Sequence, residues 1–197
     1  MTEQRNRPTV FALWLIVAGI IGWWAAFQLT LERFHLLQNP DAILNCDISP
    51  LVQCKANLES AQGSVFGFAN PLLGLTMWFA PIVVGVAILA GARFAKWFWF
   101  LFWTGFVFAQ GFVIWLMTQS IFELGTLCPW CMVTWAVVIP SFWAVTFHVM
   151  RIGVFGDGLK DLGDKLMSWT PLFTVVSYVA VAVMAQVRLD LLNVLFV

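Results

Sequence analysis

Residues 128–149 read CPWCMVTWAVVIPSFWAVTFHV, a run without Asp, Glu, Lys or Arg. A helix that crosses a bilayer needs about 20 apolar residues, and this run has that length. Its first four residues, Cys128-Pro129-Trp130-Cys131, place a pair of thiols at one end. Proline fits the first helical turn, where its missing N–H costs nothing. The sequence therefore predicts Cys128 at the N-cap and Cys131 as the third residue inside, both at a membrane surface.

Outward from this run the pattern repeats. Uncharged or nearly uncharged stretches at 10–31, 71–92, 97–119 and 171–187 give four more spans, the last being the shortest. The chain is 61% hydrophobic and 10% charged, with a mean hydropathy of +0.89. Soluble domains carry about 25% charged residues, so a water-soluble core is excluded. The prediction is an all-α integral membrane protein, one membrane domain over 1–197, with a polar loop at 32–70. The first run is too long for the apolar core of a signal peptide and reads as a retained anchor. The net charge is zero, and no basic patch exists to hold nucleic acid.

Lys and Arg in short loops set orientation. Arg5 and Arg7 precede the first span. Arg93 and Lys96 separate the second and third, and Arg151, Lys160 and Lys165 separate the fourth and fifth. These segments alternate so as to share one side, which is read as cytoplasmic. The opposite side carries Arg33, Lys55 and Arg188. The amino terminus is then inside, and Cys46, Cys54, Cys128 and Cys131 all face an extracytoplasmic compartment where disulfides persist.

The amides of the first turn and the helix dipole favour an anion at Cys128, which suits disulfide exchange. Residues three apart share a helix face, and Cys131 lies roughly 4–5 Å deeper along the axis. Cys131 is thus the lipid-side thiol, and Trp135 continues its face. Trp135 reads either as a packing tryptophan or as a platform for a flat aromatic oxidant. Cys46 and Cys54 bracket a short loop containing Pro50. A disulfide there would contribute roughly 2–3 kcal/mol, enough for a staple, although the same pair can shuttle electrons. Three readings follow: structural disulfides on a non-enzymatic scaffold, a four-thiolate zinc site, and a redox relay. The wide spacing of one pair disfavours zinc, and a Cys-x-x-Cys in a helix's first turn is a poor place for an inert staple. His35 and His148 share no site and read as structural.

The chain resembles the vitamin K epoxide reductase family in its bacterial branch, in a stand-alone form without a fused thioredoxin-like domain. The resemblance rests on Cys46-Asp-Ile-Ser-Pro-Leu-Val-Gln-Cys54, on Ser60, on Val65-Phe-Gly-Phe-Ala-Asn-Pro71, and on Cys128-Pro-Trp-Cys131. It implies a four-helix transmembrane bundle around a quinone (menaquinone or ubiquinone), with an additional fifth helix. It implies that Cys46 meets a thioredoxin-fold (DsbA-like) partner in trans, that Cys54 exchanges with Cys128, and that Cys131 delivers electrons to the quinone. Ser60 and Asn70 match polar positions near the thiols and the quinone oxygen. Otherwise they read as caps of a short segment over 58–66 and of the second span. Trp135 stands where vertebrate members carry tyrosine, which favours plain quinone reduction over epoxide chemistry. The implied activity is quinone-dependent thiol oxidation at a bacterial cytoplasmic membrane. The alternative is a thiol-driven quinone or vitamin K epoxide reductase.

Overall fold

The computed structural model describes residues 8–190; Arg5 and Arg7 lie outside them. Five helices are long and apolar enough to cross a membrane: Thr9–Gln38, Pro71–Leu89, Lys96–Leu124, Pro129–Arg151 and Thr170–Leu189. α1 (Thr9–Gln38) continues past Leu31, so the first part of the polar segment is helix rather than loop. The second span is broken into α3 (Pro71–Met77) and α4 (Phe79–Leu89). Pro81 explains the break, because it has no N–H to give the Met77 carbonyl and its ring crowds that oxygen. α5 (Lys96–Thr118) runs on through a π-helical turn, Gln119–Leu124, closed by Gly125 in the left-handed region. α6 (Pro129–Arg151) is the central span. Short α7 (Lys160–Ser168) leads into α8 (Thr170–Leu189).

α1 packs on α3, α4 and α6, and α5 packs on α6. Small residues allow close approach of membrane helices. A side chain at Gly22 of α1 would run into the Trp78 ring at 2.2 Å. α5 makes little contact with α3 or α4, so the bundle is open on that flank. α8 lies outside, against α6. Many of its large apolar side chains, including Val175, Val176 and Val179, are exposed, as suits a helix bathed in lipid.

The segment between α1 and α3 sits across one end of the bundle. It contains α2 (Lys55–Glu59) and a 3₁₀ turn at Ala61–Ser64. Arg33 donates to the Leu58 carbonyl at 3.0 Å, and Lys55 to the Pro40 carbonyl at 2.6 Å. Arg33 of α1 therefore ties the segment to the bundle, and Lys55 ties it to itself.

Candidate functional site

The cysteines converge because two chain segments pair for a single residue. Val52 and Leu127 form an isolated parallel β-bridge. Gln53 N–H donates to the Leu127 carbonyl at 2.9 Å, and Leu127 N–H to the Leu51 carbonyl at 2.7 Å. Cys128 follows Leu127 directly, and Cys54 follows Val52 after Gln53. Their Sγ atoms lie 3.6 Å apart.

Cys46 and Cys54 are joined by a disulfide, while Cys128 and Cys131 are free. Cys54 and Cys128 are fully buried, and Cys46 is 4% exposed. Leu36 of α1 and Leu44 and Leu58 of the loop surround these sulfurs. Asp47 organises the turn between the loop cysteines. One carboxylate oxygen accepts from the N–H groups of Cys54 and Lys55 at 2.8 and 3.2 Å. The other accepts from Leu44 N–H at 3.1 Å. In the sequence Asp47 stood out only as a member of the Cys46–Cys54 loop. Its signal was an aspartate directly after a cysteine, a residue that folds its side chain back on nearby amides.

Cys128 occupies the N-cap of α6, with Pro129 at the first position. Its Sγ accepts from Cys131 N–H at 3.3 Å. Cys131 is half-buried and lines a cavity of about 160 Å³. The floor is α6, through Cys131, Thr134 and the buried Trp135. Trp78 closes it on the α1 side, and Phe112 of α5 faces it. Met77 and Phe108 line its mouth and are exposed, so the cavity opens sideways between α3 and α5.

The roof is polar. Ser60 Oγ donates to the Asn57 carbonyl at 2.8 Å and accepts from Gly63 N–H at 3.1 Å, capping the 3₁₀ turn. Asn70 stands at the N-cap position of α3 but makes no side-chain capping bond. Its amide turns back instead. Nδ2 donates to the Gln62 carbonyl at 2.6 Å, and Oδ1 accepts from Val65 N–H at 3.1 Å. An amide has two N–H hydrogens, and the second has no partner among the described residues. Gln62 donates to Gln119 of the π turn at 3.1 Å, and Asn57 to Thr126 at 3.0 Å. Gln62, Gln119, Asn57 and Thr126 were not singled out in the sequence. Each is an ordinary polar residue, and the two pairings span 57 and 69 positions.

His148 lies near the other end of α6, stacked on Phe11 at 4.3 Å. Among the described residues no group of His, Cys, Asp or Glu could hold a metal ion.

A buried Cys128 and a half-buried Cys131 thus lie beside a loop disulfide, with Cys131 on a cavity open at the side of the bundle. The model of the vitamin K epoxide reductase family matches residues 13–146. The chain belongs to this family. Neither the curated proteins nor the solved structures gave a match. As a vitamin K epoxide reductase family member the chain is a multi-pass membrane oxidoreductase. It couples thiol–disulfide chemistry to a quinone or vitamin K. Members of the family generally act with thioredoxin-fold partners.

The cavity's chemistry fits a quinone. A flat ring needs apolar and aromatic walls, supplied by Trp78, Phe112 and Trp135. A ring oxygen needs a donor, and the second Nδ2 hydrogen of Asn70 is one. The redox sulfur must border the same space, as Cys131 does.

Proposed function

We propose that this protein is a quinone-dependent thiol oxidase that reoxidises an extracytoplasmic, DsbA-like thioredoxin-fold protein acting in trans. One observation carries the proposal: Cys54 lies 3.6 Å from Cys128 while Cys131 borders the cavity.

Each exchange step breaks one S–S bond and forms another. A partner thiolate attacks Cys46, the more exposed sulfur of the loop pair, and Cys54 leaves as thiolate. The partner's second thiol then displaces Cys46, which gives the partner its disulfide and the loop two thiols. Cys54 attacks Cys128 of a Cys128–Cys131 disulfide, and Cys131 leaves. Cys46 closes on Cys54 and releases Cys128. The outcome is a closed Cys46–Cys54 bond above two free thiols, the arrangement described above. Closing Cys128–Cys131 then releases two electrons and two protons, which a bound menaquinone or ubiquinone accepts. Asn70 and Trp135 hold the ring, and Ser60 keeps the roof in place. The N-terminus is cytoplasmic, the cysteines face outward, and the membrane is a bacterial cytoplasmic membrane.

The test is a quinone-reduction assay with purified protein and a reduced thioredoxin-fold partner. Stoichiometric formation of partner disulfide and quinol supports the oxidase. Turnover with a vitamin K epoxide and none with a quinone would overturn it in favour of the reductase reading.

A further inference from the structure

The turn that carries Cys46 is edged by two bare isoleucines. Asp47 N–H donates to the Leu44 carbonyl at 3.0 Å, and the Asp47 carboxylate accepts from Leu44 N–H at 3.1 Å. These bonds close a four-residue turn over 44–47, with Cys46 at its third position. Such a turn holds its end Cα atoms within about 7 Å. The residues just outside it, Ile43 and Ile48, therefore stand near each other. Leu44 and Cys46 are buried, whereas Ile43 is 84% and Ile48 74% exposed. Both lie between the first span, which ends at Gln38, and the second, which begins at Pro71. Their exposure is thus not that of a lipid-bathed helix.

Cys46 is the one sulfur of the loop disulfide with measurable exposure, since Cys54 has none. An attacking thiolate must enter over this turn, and the mixed disulfide that follows holds its owner there. Even a weak, transient interface covers roughly 500 Å² on each partner, a disc about 12 Å in radius. Ile43 and Ile48 stand three and two residues from Cys46, at most about 11 and 8 Å along the Cα path. Both fall within the footprint of a protein bonded to Cys46. A small dithiol reaches the same sulfur without covering them.

We propose that Ile43 and Ile48 form the docking surface for the thioredoxin-fold partner, and that they select a partner whose reactive cysteine is rimmed by apolar side chains. This rests on the reading that the partner reacts at Cys46. Exposed apolar patches with polar rims mark protein interaction sites, and Asp41 and Asn45 supply an exposed polar rim here.

The test is quinone reduction by the full-length protein, in detergent and in liposomes. The electron donor is either a purified, reduced DsbA-like protein or dithiothreitol. Replacing both residues, Ile43→Asp with Ile48→Asp, should lower kcat/KM for the protein donor by about tenfold or more, chiefly through KM. The rate with dithiothreitol should not change. Ile43→Leu with Ile48→Leu should keep the wild-type rate with both donors. Ile48→Ser alone carries the same expectation as the aspartate pair should that pair fail to fold. Undiminished turnover of the protein donor overturns the proposal. A matching loss with dithiothreitol also overturns it, since the isoleucines would then shape the turn rather than meet the partner. A loss confined to liposomes overturns it in favour of lipid headgroups as what covers them. A wild-type chain that accepts electrons from dithiothreitol but not from the thioredoxin-fold protein overturns the proposed function itself, before any substitution is compared.

Discussion

Cys54 and Cys128 meet Sγ to Sγ at 3.6 Å across 74 positions, and the contact is set by backbone. The Val52–Leu127 bridge fixes the residue before each strand's cysteine or the one preceding it, and burial leaves neither sulfur room to leave. Cys131→Ser removes the thiol that would resolve this contact. The variant should lose quinone reduction and accumulate a Cys54–Cys128 disulfide, read by peptide mapping under non-reducing conditions. Retained turnover in Cys131→Ser, with loss in Cys128→Ser alone, would reverse the assigned order.

Cys46 is the one thiol of the buried trio with measurable exposure. In Cys54→Ala the partner should attach to Cys46 with nothing to displace it. A band of summed mass should appear on a non-reducing gel, collapse with reductant and vanish when Cys46 is also replaced. An adduct that survives Cys46→Ala and needs Cys128 would mean that the partner reaches the membrane pair directly.

Asp47 accepts from three backbone N–H groups around the disulfide. Hydrogen bonds to a charged group contribute roughly 1.5–3 kcal/mol each. Asp47→Ala should release the turn and move Cys54 off Cys128. Formation of the Cys54–Cys128 bond in a Cys131→Ser background should slow by about tenfold or more. An unchanged rate would show that the bridge alone holds the register.

The spans and the cysteine pairs were legible in the sequence because uncharged runs and the Cys-Pro-Trp-Cys turn are local signals. The Cys128 N-cap followed from Pro129 alone and is found. The convergence of Cys54 on Cys128 was available only through family resemblance, since a one-residue bridge between Val52 and Leu127 leaves no periodicity. Asn70 was expected either to cap α3 or to face a ligand. It makes no capping bond; it binds the 3₁₀ turn behind it, a choice set by the tertiary position of Gln62 and Val65, and it still lines the cavity. The break at Trp78 was missed because an apolar run hides a kink, although Pro81 was the sign of it. The polar roof joining Gln62 to Gln119 was equally hidden, since side chains paired over long separations leave no pattern.

Trp78 transmits the packing of α1 to the cavity. Its ring lies where a side chain on Gly22 would go, with atoms 2.2–2.6 Å from the added carbon, and it also lines the cavity beside Cys131. Gly22→Ala must displace that ring, and overpacking of this kind costs roughly 1–3 kcal/mol. The KM for quinone should rise by about tenfold or more, with loop-to-membrane exchange unchanged. Equal loss in both steps would show a general disturbance of the bundle.

Orientation rests on charge. Arg93, Lys96, Arg151, Lys160 and Lys165 fall in the connections on the side of the bundle opposite the cysteines, while the cysteine side has Arg33 and Lys55 in its long segment and neither Lys nor Arg at 119–128. Excess Lys and Arg stay cytoplasmic in short loops. After mild reduction of intact cells, a membrane-impermeant maleimide should therefore label Cys46, the loop cysteine with measurable exposure. Labelling should not need permeabilisation of the cytoplasmic membrane. Thiols that react only once the cytoplasmic side is opened would invert the topology. An oxidase serving an extracytoplasmic partner would then have its loop pair in a reducing compartment, where the Cys46–Cys54 bond would not persist, and the proposed function would fall with the orientation.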